Sequence, residues 1–207
     1  MIDILVVFAA LCIGYLLGSF NTSVIVGKLY GKDIRRHGSN SAGLTNTLRV
    51  LGKSAAAFVL AGDIAKGVIA CLIGLRLGVD VYSGEAVDSL SLFAAGAGAV
   101  AGHNWPVYFG FKGGKGLLTA AAVMFMVDWV ATLISLGVFI MIVALTRYVS
   151  LGTILATTLF VAISFVPAFG NTIYFNMFAG LIAVMVIFKH KENIQRLLSG
   201  RENRLTF

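Results

Sequence analysis

Long apolar stretches recur along nearly the whole chain, separated by short polar segments. That pattern predicts helices that cross a bilayer, with lipid and not water as the solvent. Seven stretches qualify, at about 3–24, 54–75, 89–109, 116–128, 129–146, 150–170 and 172–188. The expected fold is an all-α integral membrane protein of seven transmembrane helices, a single membrane domain over residues 1–207. The fourth stretch has only about a dozen apolar residues, about 18 Å of helix against a hydrocarbon core of about 30 Å. It must borrow from its flanks or form a short hairpin with the fifth. The opening "MIDILVVFAALCIGYLLGSF" lacks a basic n-region and a small-residue cleavage site, so it reads as a retained helix.

Composition agrees with a bilayer: apolar residues make up 58%, charged residues 12%, and the mean hydropathy is +0.93. The few charges are sorted by loop. The first loop carries Lys28, Lys32, Arg35, Arg36, Arg49 and Lys53 against Asp33, and the second carries Arg76 against Asp80, Glu85 and Asp88. Lys112 and Lys115 mark the third, Asp128 the fourth and Arg147 the fifth, while the sixth is uncharged. The tail holds Lys189, Lys191, Arg196, Arg201 and Arg204. Basic loops therefore alternate with non-basic ones, and the positive-inside rule places the N-terminus outside and the C-terminus in the cytoplasm. Seven crossings require ends on opposite sides, so the two arguments agree. The net charge of +7 follows from this topology and from attraction to anionic lipid. No interleaved basic and aromatic surface is present, so nucleic acid is not an expected partner. Cys12 and Cys71 lie singly in apolar runs and read as small buried hydrophobes.

The polar motifs gather on the expected cytoplasmic side. The first loop contains "HGSNSAGLTNTLRVLGK", either a flexible linker or a place for an anionic head group. Its hydroxyls, amides and Arg49 suit the second, because a guanidinium grips a phosphate with two parallel N–H bonds. The third loop, "GFKGGKG", sets two lysines among four glycines. Adjacent glycines let successive backbone N–H groups turn toward one anion, the next helix adds its N-terminal partial charge, and Lys115 adds a full one. The four-residue spacing and the Ser/Thr of a nucleotide-type P-loop are missing. A plain helix-connecting turn is the alternative.

In the tail, "FKHKENIQRLLSGRENR" places His190 and Asn193 three apart on one helical face, with Glu192 and Arg196 four apart as a surface pair. Inside the apolar stretches, Asp63 and Lys66 either neutralise each other or line a polar cavity. His103 falls near the cytoplasmic end of its span, with Trp105 and Tyr108 fitting an aromatic belt. Ser150 in "RYVSLG" is an N-cap or an anion ligand.

The stretches "GSNSAGLTNTLR", "GHNWPVYFGFKGGKG", "RYVSLG" and "HKENIQRLLSGREN" resemble the successive signatures of the bacterial acyl-phosphate:glycerol-3-phosphate acyltransferases, the PlsY family, over residues 14–204. The resemblance implies a multi-pass protein of the bacterial inner membrane whose active site faces the cytoplasm. It implies transfer of a fatty acyl group from acyl phosphate to glycerol 3-phosphate, giving lysophosphatidic acid in the first acylation of phospholipid synthesis. It also implies a partner, the peripheral enzyme PlsX, which makes acyl phosphate. Residue by residue, it assigns Ser39, Gly43, Thr45, Asn46, Gly113, Gly114 and Ser150 to substrate binding, and Arg49, Lys115, His190 and Asn193 to catalysis. No cofactor or metal is implied. Two stretches depart: Asn40 and Ser41 stand where the family typically has Gly then Asn, and "GSFNTS" at 18–23 stands where it usually has "GSxPFG".

The chemistry fits that resemblance. An acyl phosphate is a mixed anhydride with a good leaving group, so no covalent enzyme intermediate is needed, and no serine–histidine–acid order or reactive cysteine is evident. The reaction does need charge neutralisation and alignment of two phosphate-bearing substrates. His190 takes the proton of the glycerol hydroxyl, positions it, or leaves the proton to a substrate phosphate. The His-x4-Asp pair of soluble-domain acyltransferases is missing, since Ala42, Tyr108 and Gln195 follow His37, His103 and His190 at that spacing. A transporter or binding protein for phosphorylated small molecules, or an altered paralogue, are the other readings. The first of these fits less well, because no internal repeat is seen and the polar groups gather on one face. The topology is directly testable. In a cysteine-free background, single cysteines placed in the first, third and fifth loops should react only with reagents that reach the cytoplasm; labelling of the first loop from outside would overturn the orientation.

Overall fold

The computed structural model describes residues 4–78, 90–169 and 172–205, and among them every regular element is helical. Ten α-helices follow in order: α1 (Ile4–Gly18), α2 (Thr22–Leu29), α3 (Leu44–Leu51), α4 (Lys53–Leu77), α5 (Leu90–Asn104), α6 (Leu117–Val127), α7 (Trp129–Thr146), α8 (Val149–Ser164), α9 (Ile173–Lys189) and α10 (Lys191–Leu198). Each of the seven apolar stretches carries a helix. Three helical segments are long and apolar enough to cross a membrane: Ile4–Leu29, Lys53–Leu77 and Trp129–Thr146. A fourth arises if α9 and α10, bent by 61° at their junction, count as one span. Asp80, Glu85 and Asp88 of the second loop lie outside the described residues.

The first apolar stretch is interrupted where the sequence departs from "GSxPFG". Asn21 occupies the usual place of the proline and starts α2 by another means: its side chain accepts a hydrogen bond from the Val24 N–H at 3.1 Å. A proline would preset the backbone for a helix start, and the asparagine cap does the same work through a hydrogen bond.

The chain forms two compact units, Met1–Met126 and Val127–Phe207. In the first, α1 packs along α5, and α4 packs against both. Hydrophobic attraction between helices is weak in lipid, so close van der Waals contact between small residues must replace it. The sequence supplies those residues at four-residue spacing, Gly14 and Gly18 on α1 and Gly98 and Gly102 on α5. A Cβ on Gly14 or Gly18 would strike the backbone of Ala95 or Ala99, and one on Gly98 or Gly102 would strike the α1 backbone near Leu11 and Tyr15. Larger apolar side chains point outward instead; Phe58 is 65% exposed. On α6, Val123 fits against Gly67 of α4 and Gly96 of α5.

In the second unit, α8 packs against α7 and α9. Phe160 and Phe175 meet edge to face at 5.8 Å, and Gly152 receives Phe139 and Val143 of α7. The outer faces are again apolar, with Val184 at 66% exposure.

The glycine seam makes a prediction with an internal control. Gly98→Leu should lower the unfolding free energy by at least the roughly 1–3 kcal/mol of ordinary overpacking, because backbone and not a movable side chain blocks it. Gly137, on α7, has nothing within 4 Å of its would-be Cβ, so Gly137→Ala should be neutral or slightly stabilising. Thermal melts of the purified protein in detergent compare the two.

Candidate functional site

In the first unit, the loop before α3 is organised by one side chain. Asn46 is 2% exposed. Its Oδ1 accepts from the Ser39 N–H at 2.8 Å, and its Nδ2 donates toward the carbonyls of Ile34, His37 and Ser41 at 3.1, 2.9 and 3.0 Å. The Asn46 amide therefore holds the loop rather than standing ready for a substrate. Asn40 has φ 56°, the left-handed region favoured by glycine. Asparagine is among the side chains that tolerate it best, so the change from the family's glycine keeps the turn. Gly43 precedes the first residue of α3, the Thr45 side chain is half-buried, and Arg49 lies exposed in the last turn of α3. Thr47 ties α3 to α2 by donating to Ser23 Oγ at 3.2 Å.

This loop is fastened to the segment that carries the glycines and lysines. Arg35 donates from Nη1 to the Phe109 carbonyl at 3.0 Å, while its Nε and Nη2 reach the two Asp33 oxygens at 2.9 and 3.0 Å. The hydrogen bonds and charge of Arg35 hold the Asp33 carboxyl down to about 2. The two segments also pack closely. A Cβ on Gly114 would collide with the Ala42 carbonyl and with His103 Nε2, and one on Gly113 would collide with the His103 carbonyl.

The geometry corrects one expectation about the glycines. The Gly114 N–H donates to the His103 carbonyl at 3.1 Å, so it is not one of a row of amides turned toward an anion. Gly113 and Gly114 are required because backbone and ring approach too closely for any side chain. Lys115 follows directly, half-buried, two residues before α6 begins. Its charge and the α6 N-terminus leave positive potential at this end of the segment.

In the second unit, His190 is buried at the junction of α9 and α10, and its Nδ1 lies 2.8 Å from the Val186 carbonyl. A carbonyl only accepts, so Nδ1 carries the proton and the lone pair of the neutral ring is on Nε2. Ser150 is not the cap of α8, which is Tyr148; it lies within the first turn. Its hydroxyl donates to Glu202 Oε1 at 2.8 Å, and Asn193 Nδ2 donates to the same oxygen at 2.6 Å. Arg196 Nε donates to Glu202 Oε2 at 2.8 Å and approaches Glu192 only to 3.8 Å. The expected Glu192–Arg196 pair is thus the looser of two.

Glu202 is the residue that sequence reasoning passed over. It gathers Ser150 and Asn193 around one carboxylate, and the following Leu205 N–H ties the tail to the Arg147 carbonyl at 2.8 Å. Its signal was faint: a glutamate nine residues after Asn193 in "SGREN", beyond the helical periodicity.

Among the described residues, helices with apolar outer faces define an integral membrane protein, and its lysine-bearing glycine segment is fastened to the first loop. Residues 8–200 match the glycerol-3-phosphate acyltransferase family, and the chain belongs to that family. The glycerol-3-phosphate acyltransferase of Thermoanaerobacter pseudethanolicus is 42% identical over 194 residues, covering 93% of this chain and 92% of that protein. The one from Halalkalibacterium halodurans is 44% identical, covering 92% and 91%. Two crystal structures of PlsY (YgiH), an integral membrane glycerol 3-phosphate acyltransferase, are 38% identical to this chain. The glycerol 3-phosphate form superposes with a TM-score of 0.86 over 97% of this chain and 96% of that one, and the lysophosphatidic acid form with 0.83 over 97% and 95%.

Burial alone would raise the Glu202 carboxyl, but hydrogen bonds from Asn193, Arg196 and Ser150 and the Arg196 charge outweigh it, and the group is held below its ordinary 4.5. A lowered carboxylate stabilises fully above its unfolded value and loses that contribution as pH falls through the folded one. Amide protection of the tail, corrected for intrinsic exchange, should therefore stay flat at pH values above 4.5 and collapse in more acidic solution. Glu202→Ala should remove it at every pH, at a cost on the order of 1–3 kcal/mol for the stranded donors.

Proposed function

We propose that this chain transfers a fatty acyl group from acyl phosphate to glycerol 3-phosphate, releasing lysophosphatidic acid and phosphate. The glycerol hydroxyl oxygen attacks the acyl carbon, the carbon–oxygen bond to phosphate breaks, and phosphate leaves with the electron pair. No residue need be acylated, so the protein's task is alignment and charge neutralisation. The observation that carries the reading is the placement of Lys115 on a glycine segment bonded to the first loop through Arg35 and Phe109 and packed closely against it at Gly114 and Ala42. In a chain of this family, a cation on that segment suits a phosphate.

Lys115 and Arg49 neutralise phosphate oxygens, with Ser39, Gly43 and Thr45 as further ligands from the first loop and Asn46 as the group that holds that loop. Gly113 and Gly114 permit the close approach. Asn193 and Ser150, gathered on Glu202, supply oriented polar groups, and His190 offers Nε2 as acceptor for the glycerol hydroxyl. We favour positioning over proton removal for His190, because Lys189 and Lys191 flank it and a positive field disfavours the imidazolium a base must become. The chain crosses the inner membrane of a bacterium seven times with its N-terminus outside, so that these groups face the cytoplasm. The acyl phosphate then comes from a peripheral enzyme of the PlsX kind, with no cofactor or metal.

Purified protein given labelled glycerol 3-phosphate and palmitoyl phosphate should form labelled lysophosphatidic acid. Lys115→Ala should remain folded and lose several hundred-fold or more in turnover, about 3–4 kcal/mol of transition-state stabilisation. Near-normal turnover by that variant would refute the phosphate role of Lys115; uptake of glycerol 3-phosphate into vesicles without product would favour a transporter.

A further inference from the structure

We propose that Asp63, Lys66 and His103 form a buried relay that positions Lys115, acting on the reaction through the glycine loop and without touching substrate. The inference rests on the acyl-transfer reading above. It starts from charge where charge is disfavoured. Asp63 and Lys66 are 1% and 6% exposed, in the middle of a helix apolar enough to cross a bilayer. A buried ion pair is weak evidence for stability, whereas ionisable groups within a span usually mark function.

The hydrogen bonds give the pair a direction. Lys66 Nζ lies 2.9 Å from Asp63 Oδ1, 2.8 Å from His103 Nδ1 and 3.3 Å from the Phe20 carbonyl. The contact with Asp63 is an ion pair and those with Phe20 and His103 are hydrogen bonds; an ammonium donates and cannot accept, so Nδ1 of His103, itself 3.5 Å from Asp63 Oδ1, accepts from it. The ring proton is then on Nε2. That edge faces Gly114, where a Cβ would meet both Nε2 and the Ala42 carbonyl. The same histidine accepts the Gly114 N–H on its own carbonyl at 3.1 Å. His103 therefore bears on Gly114 with ring and backbone together, and Lys115 is the next residue. From the other side of Lys115, Thr119 donates to the Asp63 carbonyl at 3.2 Å, fastening the first turn of α6 to α4. Asp63 and Lys66 thus fix one tautomer of His103 and the helix that follows Lys115. None of the three was needed as a substrate ligand.

The rival explanation is that the cluster only holds the helices together, and a mutant cycle separates the two. The purified full-length protein is assayed for binding and acylation of glycerol 3-phosphate. His103→Phe keeps the ring volume but offers no N–H, and should lower kcat/KM for glycerol 3-phosphate roughly 100-fold, the loss typical of a misplacement of about 1 Å. His103→Gln, whose amide reaches near the Nε2 position, should recover most of it. In a Lys115→Ala background, His103→Phe should cost less than about threefold more, because the group it positions is gone. Equal losses in both backgrounds, accompanied by a lowered melting temperature, would mean a purely structural role and overturn the relay. Near-normal turnover of His103→Phe would overturn it as well. If His103→Phe does not fold, Lys66→Met takes its place in the cycle: a loss that shrinks in the Lys115→Ala background supports the relay, and an equal loss overturns it. A wild-type protein that neither binds nor acylates glycerol 3-phosphate defeats the acyl-transfer reading too; an active wild type with additive losses defeats the relay alone.

Discussion

The close approach of α1 and α5 is the constraint on which the first unit depends. Gly14, Gly18, Gly98 and Gly102 bring two backbones into direct contact, and a Cβ at any of them would be blocked by main-chain atoms that cannot rotate away. The seam then continues into polar contacts at its end. Tyr15 donates its hydroxyl proton to the Trp105 carbonyl at 2.9 Å, and Ser19 Oγ accepts from the Val107 N–H at 3.3 Å. His103 follows Gly102 directly. The helix contact therefore sets where the chain leaves α5, and with it where the segment leading to Lys115 begins. Packing in a bilayer, driven by shape and not by exclusion of water, here also sets the course of the segment that follows α5.

The same logic explains an interior richer in small and polar residues than that of a soluble domain. Ser19, Asn21, Ser23, Thr47, Thr119 and Thr153 are fully buried, while Phe8, Phe58 and Leu145 face outward. Lipid accepts the large apolar side chains without penalty, so the inside is free to hold hydrogen-bonding groups, provided each finds a partner. Ser19 donates back to the Tyr15 carbonyl at 2.8 Å, Thr47 joins two helices, and Thr153 donates back to the Val149 carbonyl at 2.8 Å within its own helix.

The helices were legible in the sequence, because helix periodicity is a local signal. Every apolar stretch carries a helix, and the lysine-bearing glycine loop was visible as an anomaly in "GFKGGKG". What a string of glycines is for was not legible. Glycine permits both an amide nest and a close approach, and only the position of the His103 carbonyl decides for the second at Gly114. What the two departures from the family pattern do was not legible either: asparagine at 40 adopts the left-handed turn and asparagine at 21 caps a helix. Glu202 escaped notice for a different reason. It reaches Asn193 only after the chain reverses at Gly200, φ 68°, and a reversal leaves no period in the sequence.

Asn46, His103 and Glu202 share one kind of task. Each is a polar residue that is itself held and that in turn holds a neighbour: Asn46 through its amide the loop bearing Ser39, His103 through its carbonyl the glycine before Lys115, and Glu202 through its carboxylate the pair Ser150 and Asn193. That division suits the reaction. When the leaving group is phosphate, the barrier is lowered chiefly by fixing charges and orientation, and a flexible lysine or amide would lose much of its effect to reorganisation. A nucleophilic mechanism concentrates its chemistry in one activated side chain. In the reading proposed above, the work falls to groups that are held rather than reactive, and within each unit the residues that do the holding matter as much as those that would touch the substrate.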